Sequence, residues 1–339
     1  RFMRAHARTE ETQNELLTRL IQAHQGTSFG KDHNLSAVRT MDEFRRAIPL
    51  ADYEYYQPYM QRVLQGEFTA LLPEETPPLM FSMTSGTTAD PKYIPVTQPF
   101  LQDMRNGWNA FGIGALHDHM DAFGRPILSI TSSMYEETSP SGIPCGAISG
   151  LLAQNQQKIV QRMYPCPRWV TEIPDIETRL YTILRYAIER NVSFITTANP
   201  STTIKLIETA RTHIDTLLAD LTNGTFTPPT PLPSEMKAKI TSFRRKPKRA
   251  KQIQRRIDAG NGDITARSFW DLSFVANWTG GTLQLYLPRL KKLTGGVPIR
   301  DIGLLASEGR FSIPTRDGTP AGIAEILSNV LEFIPAEDR

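Results

Sequence analysis

Cysteine is nearly absent from the chain, with Cys145 and Cys166 the two in 339 residues. Two isolated thiols make neither a disulfide framework nor a zinc site, and they suit a reducing compartment. Nowhere does the sequence approach the roughly 18 consecutive apolar residues of a membrane helix. The N-terminus also lacks the charged-then-apolar layout of a secretory signal. The chain therefore reads as cytoplasmic, without a membrane partner, although it starts at Arg1 and a segment upstream lies outside this reading. A dominant charge is missing too. Lys and Arg number 38 against 35 Asp and Glu, and the net charge of +3 implies no polyanionic partner.

What is present describes an ordinary globular protein. The residues are 40% apolar and 22% charged, and the 25 prolines are scattered, which excludes a disordered or fibrous chain. The length allows two domains or one large domain with subdomains. One segment is strongly basic: Arg244 to Arg256 holds eight Lys or Arg in thirteen residues. It has no interleaved aromatic for base stacking, so it reads as a solvated helix face rather than a nucleic-acid patch.

Hydrophobic spacing organises the rest. Leu16, Leu17, Leu20 and Ile21 share one helical face over 12–25 before Gly26. Thr40-Met41-Asp42-Glu43 has the form of a capping box, with Phe44, Ala47 and Ile48 behind it. Leu79, Phe81 and Met83 alternate as a strand. Further strand-like runs at 126–131, 192–197, 273–278 and 299–305 are separated by helical stretches at 175–189 and 201–221. In these, Ile176, Leu180, Ile183, Leu184 and Ala187, then Leu206, Ile207, Ala210, Ile214 and Leu217, fall on single faces. Strands alternating with helices predict an α/β fold with a mainly parallel sheet. The Pro- and Gly-rich stretch 222–233 reads as a connector within it.

Three strand-to-turn junctions carry candidate chemistry. The strand at 79–83 runs into Thr84-Ser85-Gly86-Thr87-Thr88-Ala89-Asp90-Pro91-Lys92. Glycine there lets backbone N–H groups approach an anion, hydroxyls add donors, and Lys92 brings a full positive charge. These residues suit the phosphates of ATP, although the spacing matches neither the Gly-x4-Gly-Lys-Ser/Thr loop nor Gly-x-Gly-x-x-Gly. A Ser- and Thr-rich turn is the competing reading. The second junction is Leu305-Ala306-Ser307-Glu308-Gly309, at the strand end where ligands of open sheets gather. Glu308 could hold Mg²⁺, an oxygen-seeking cation. At the third, Trp278-Thr279-Gly280-Gly281, the backbone can lie close to a ligand and Trp278 could wall an apolar pocket. Trp108 and Phe111 are further candidates for that wall, and Arg105 is near enough in sequence to meet a carboxylate. His117-Asp118-His119 is no metal site on this reading, because residues two apart on a helix face different ways.

With these segments in order, the chain resembles, over essentially its whole length, the acyl-acid amido synthetases. These enzymes conjugate plant hormones such as auxin and jasmonate to amino acids, and they have bacterial relatives. The family's Ser-Ser-Gly-Thr-Ser-x-Gly-x-x-Lys is similar to 84–92 and its Tyr-Ala-Ser-Ser-Glu to 305–308. Trp278-Thr279-Gly280-Gly281 and Val330-Leu331-Glu332-Phe333-Ile334-Pro335 also resemble family segments. Ala89 and Asp90 stand where the family usually has a glycine.

The resemblance implies a luciferase-like adenylating domain over 1–339. Its mainly parallel sheets are flanked by helices, with a smaller β subdomain, and a small C-terminal lid would follow beyond Arg339. It places Thr84, Ser85, Gly86, Thr87, Thr88 and Lys92 on ATP phosphates and Ala306, Ser307, Glu308 and Gly309 on nucleotide and acid. Ser149 and Gly150 would lie in a segment facing nucleotide and incoming amine. The implied activity is ATP-dependent formation of an acyl-adenylate followed by conjugation to an amino acid, with Lys92 and Glu308 catalytic. The alternative is a nucleotide-binding regulatory protein of the same fold with reduced catalysis. Substrates on this view are a small carboxylic acid and an amino acid, with no nucleic acid.

Overall fold

The first long helix, α1 (Thr9–His24), buries Leu16, Leu17 and Ile21 and carries Glu10 and Glu11 in its first turn, where the helix dipole favours acids. Helix α2 (Met41–Ala47) starts at the expected capping box: Thr40 Oγ1 accepts from the Glu43 amide at 3.2 Å and Glu43 Oε2 accepts from the Thr40 amide at 3.1 Å. Helix α3 (Tyr53–Leu64) buries Met60 and Val63. The computed structural model describes residues 2–84, 91–240 and 242–335.

A four-stranded mixed sheet follows. Strand β1 (Met80–Thr84) lies between β2 (Lys92–Val96), antiparallel to it, and the parallel β5 (Pro144–Gly146). Helix α4 (Gln98–Asp118) leaves β2 through a Thr97 cap. Strand β4 (Glu137–Thr138) edges the sheet beside β5. The alternation read from Leu79, Phe81 and Met83 does not select one buried face here. Met80 and Phe81 are both fully buried, in separate apolar clusters on opposite faces, whereas Leu79 is 37% exposed. A strand covered on both sides has no polar face.

The second sheet is entirely parallel, in the order β3 (Ile127–Ser129), β6 (Phe194–Thr196), β7 (Phe274–Ala276), β8 (Ile299–Arg300). All four expected strand runs are found in it, shorter than read. Leu128, Ile195 and Val275 point into the largest core. That core is completed by α6 (Ile176–Ala187), α7 (Pro200–Thr212), α8 (Ile214–Asn223) and α9 (Pro247–Ala259). Helix α5 (Ile148–Gln154) follows β5 and precedes these four helices in the chain. The opposite sheet face, with Phe194, Phe274 and Ala276, packs on Phe111 and Ala115 of α4. This is the period-two division of a sheet with helices on both faces.

Three expectations are corrected. The stretch 201–221 is two helices, because the chain leaves helical geometry at His213, which reaches across to Glu177 at 2.7 Å. Ile176, in the first turn of α6, is 51% exposed rather than part of the buried face. The run 299–305 is not one strand but β8 followed by the hairpin of β9 (Leu305–Ala306) and β10 (Gly309–Arg310). A second hairpin, β11 (Ser312–Pro314) with β12 (Gly322–Ala324), follows. The chain then returns to α1, where the buried Gln13 donates to the Ile326 carbonyl at 2.8 Å and accepts from the Leu331 amide at 2.7 Å.

The basic run enters α9 at Pro247, after Arg244, Arg245 and Lys246, and the buried face of that helix is Ala250, Ile253 and Ile257. Some of its charges bind the protein itself: Lys246 pairs with Glu189 at 3.1 Å and Arg256 with Asp271 at 3.0 Å. Among the described residues no helix is long and apolar enough to cross a membrane.

Candidate functional site

Strand β1 delivers its C-terminal end to the loop read as a phosphate cradle. Ser85, Gly86, Thr87, Thr88, Ala89 and Asp90 lie outside the described residues, and Thr84 is placed by its pairing with Lys92 across β1 and β2. Lys92 opens β2 with its ammonium 3.5 Å from Glu54 Oε1 and 5.1 Å above the ring of Tyr53. Both partners come from the first turn of α3. Tyr53 holds that turn on the strand: its hydroxyl accepts from the Tyr93 amide at 3.0 Å and donates to the Tyr93 carbonyl at 3.3 Å. The strand is tied on its other side by the Tyr93 hydroxyl, which donates to Glu137. That hydrogen bond to a carboxylate pushes the phenol up to about 12.

The second motif reaches the same place. Ser307 and Glu308 form the two-residue turn of the β9–β10 hairpin. The buried Ser82 of β1 donates to Ser307 Oγ at 3.1 Å, so the hairpin tip sits on the strand that feeds the loop. Ala306 and Glu308 are exposed. The described residues contain no cluster of three or more metal-ligating side chains. A single exposed carboxylate at Glu308 does fit Mg²⁺ held mainly by phosphate oxygens and water. Gly309 is buried, and a Cβ there would come within 2.8 Å of Asn329 Nδ2, the group that donates to the Arg310 carbonyl.

The third junction braces the hairpin from behind. Beyond β7, the Trp278 indole donates to the Gly303 carbonyl at 2.9 Å. Asp301 Oδ2 accepts from the Thr279 amide and hydroxyl, each at 2.6 Å, while its Oδ1 accepts from the Gly303 amide at 2.6 Å. Gly280 lies against Pro320, and Gly281 has φ +58°, in the left-handed region that favours glycine. Trp108, Phe111, Trp278 and Leu305 belong to one apolar cluster, with Trp108 and Phe111 edge-to-face at 5.6 Å. Phe111 is a core residue, 4% exposed, whereas Trp108 is half-buried.

Arg105 and the Ser149–Gly150 pair stand on neighbouring elements. The Arg105 guanidinium donates to the carbonyl of Asn155, the residue that ends α5. Ser149 Oγ accepts from the Ser132 amide at 3.2 Å. A Cβ on Gly150 would lie 2.7 Å from both Met134 N and Ser132 O, so α5 approaches 132–134 at backbone contact. His117 and His119 diverge: the first contacts Asp118 at the surface, the second bonds Asp317 at 2.9 Å.

One functional candidate escaped the sequence reading. Arg310, two residues beyond Glu308, is 1% exposed. Its carbon stem lies against Gly107 of α4, where a Cβ would come within 2.4 Å of Cδ. The guanidinium stacks 4.7 Å from the Trp108 centroid and donates from Nη2 to the Ile302 carbonyl at 2.6 Å. Burial pushes its pKa down to about 10, opposed by Asp301 and Glu325, so it is charged at neutral pH. The available signal was a lone cation in an otherwise uncharged stretch directly after the second motif.

Lys92 beside the end of β1, a hairpin tip bonded to that strand and an aromatic cluster that includes Leu305 of the same hairpin are thus carried by one α/β fold. The chain belongs to the GH3 family: the family described as GH3 family N-terminal domain matches residues 1–299. It is 22% identical over 340 residues to the jasmonoyl–L-amino acid synthetase JAR6 of Nicotiana attenuata, covering 95% of this chain and 58% of that protein. It is 23% identical over 355 residues to the indole-3-acetic acid-amido synthetase GH3.10 of Arabidopsis thaliana, covering 97% and 60%. The fold matches that of GH3.15 acyl acid amido synthetase at a TM-score of 0.73 and 19% identity, over 90% of this chain and 54% of that one. A structure titled AtGH3.15 acyl acid amido synthetase in complex with 2,4-DB matches at a TM-score of 0.75 and 19% identity, with the same coverage. The chain thus spans less than two thirds of the length of these relatives.

Proposed function

We propose that residues 1–339 form the large adenylating domain of an acyl-acid amido synthetase. It would activate a small carboxylic acid with ATP and pass the acyl group to an amino acid. The observation that carries this reading is the Ser82–Ser307 hydrogen bond, which sets the hairpin tip against the strand leading to the Ser- and Thr-rich loop, beside Lys92.

In the first step a carboxylate oxygen attacks the α-phosphorus of ATP, pyrophosphate leaves, and an acyl-AMP forms. Such chemistry depends on in-line positioning and on neutralising oxygen charge, which needs no side-chain nucleophile. Lys92 and the backbone and hydroxyl donors of 84–88 hold the phosphates, and Glu308 supplies a carboxylate for Mg²⁺. Ala306 to Gly309 border nucleotide and acid, while Ser149 and Gly150 face the nucleotide and the amine. Trp108 and Trp278, backed by the buried Phe111 and with Gly280 and Gly281 beside them, receive the apolar body of the acid. In the second step an amine attacks the acyl carbon, a proton is lost and AMP leaves; exclusion of water at this stage falls to a closing lid.

The test is acid-dependent pyrophosphate release by the full-length protein across aromatic and aliphatic carboxylates, followed by addition of amino acids and detection of the amide. Nucleotide binding without release for any acid would favour a regulatory nucleotide-binding protein instead.

A further inference from the structure

We propose that Arg310 is the anion anchor of the acid pocket, holding the substrate carboxylate through Nε–H and Nη1–H against the aromatic wall of Trp108 and Phe111. This rests on the reading of the site as one that activates an acid.

The argument begins with an unbalanced group. Burying a guanidinium is costly unless its donors are satisfied, and buried polar atoms in native proteins nearly always are. Arg310 is 1% exposed, yet among the described residues Nε and Nη1 have no hydrogen-bond partner and the side chain makes no ion pair. The acids that balance its charge from a distance are already engaged. Asp301 accepts from Thr279 and Gly303. Glu325 accepts from the Leu327 and Ser328 amides and the Ser328 hydroxyl. Arg300, on β8, offers a contrast. It is equally buried, but its Nε and Nη2 are taken by Asp317 and Asp118, which leaves Nη1 alone without a partner among the described residues. Arg310 therefore keeps a charge in an apolar setting with donors to spare, as a site for an anion requires.

Its surroundings specify which anion. The guanidinium lies 4.7 Å from the Trp108 ring centroid and 5.6 Å from that of Phe111, within the cluster that includes Trp278 and Leu305. Aromatic walls with one cation suit an organic carboxylate, its charge on the arginine and its body on the rings. The hairpin that carries Arg310 also carries Ser307, bonded to Ser82. A carboxylate held at Arg310 thus lies on the element that borders the proposed nucleotide site. Trp108, half-buried over the guanidinium, is the side chain that must turn to admit it.

The test uses the full-length protein, with benzoate, indole-3-acetate and hexanoate as probes beside their carboxamides. Binding is followed by tryptophan emission, and pyrophosphate release gives KM for acid and for ATP separately. Losing hydrogen bonds to a charged group should raise the acid KM of Arg310→Met by about tenfold to a hundredfold. The ATP KM should stay within about twofold, since uniform loss of structure would move both. Arg310→Lys keeps the charge and should recover part of the acid affinity. It also gives the acid KM if the Met variant does not fold. Carboxamides should not bind. An acid KM unchanged in the folded variants, or carboxamides binding as tightly as acids, would overturn the proposal while leaving the functional reading intact. Wild-type protein that releases no pyrophosphate with any acid would overturn the functional reading, and the anchor with it.

Discussion

Ser82 and Ser307, 225 positions apart, share a hydrogen bond of 3.1 Å between their hydroxyls, and through it the hairpin tip is attached to β1. Ser82 is 2% exposed, so removing either hydroxyl leaves the other short of a partner in a poorly hydrated place. Ser82→Ala and Ser307→Ala should each lose about 1 kcal/mol, with a coupling energy of about 0.5–1.5 kcal/mol in the double-mutant cycle. Urea unfolding of the four proteins measures this. Strictly additive losses would mean the bond does not hold the two elements together.

Lys92 and Glu54 separate a site residue from its neighbour. Their 3.5 Å ion pair is exposed, 40% and 63%, and such pairs contribute at most about 1 kcal/mol. Lys92→Ala should therefore retain its melting temperature while pyrophosphate release falls by roughly a hundredfold or more, as when one preorganised charge donor is lost. Glu54→Gln should change release only about twofold. Unaltered release in Lys92→Ala would remove this lysine from the phosphate site.

Gly150→Ala tests the close approach of α5 to the loop at 132–134. The new Cβ would fall 2.7 Å from two backbone atoms, which cannot rotate away. We expect a loss of about 1–3 kcal/mol, as for overpacking elsewhere, read as a lower melting temperature. Gly112→Ala, a helical position with nothing within 4 Å of the added atom, is the control and should be neutral or slightly stabilising.

Arg300 and Asp118 make stability depend on acid. Hydrogen bonding from Arg300, followed by that from His117, holds the Asp118 carboxyl below its ordinary value. A depressed carboxylate pKa gives stability that is full above the unfolded value, about 4, and is lost as pH falls through the folded value. The melting temperature of wild type should exceed that of Asp118→Asn by a constant margin from pH 5 to 8. The margin should shrink below about pH 4. A margin independent of pH down to 3 would show that the carboxylate's charge is not what matters.

Local rules were legible in the chain because they act over a few residues. The Thr40–Glu43 capping box, the helical face of Leu16, Leu17 and Ile21, and the four runs of the parallel sheet were all readable in that way. The turns at 278–281 and 307–308 do follow strands, β7 and β9, since glycine and hydroxyl residues after an apolar run mark a strand end, while residues 85–90 of the first junction lie outside the described residues. Tertiary packing decided the rest. Whether Leu79 or Met80 is covered depends on which layers lie above and below β1, information that alternation within five residues does not hold. The break falls at His213, whose ring meets Glu177 of another helix, a contact that spacing within 201–221 does not show. The role of Arg310 was not legible for the same reason: an arginine is ordinarily a solvated residue, and the packing of α4 against the hairpin buries this one with donors unspent among the described residues. The sequence by itself determined most of the helices and strands and the residue types that stand at their ends. Bringing Ser307 to Ser82 and Arg310 to Trp108 required contacts between residues some two hundred positions apart, and those are set by the packing of whole layers.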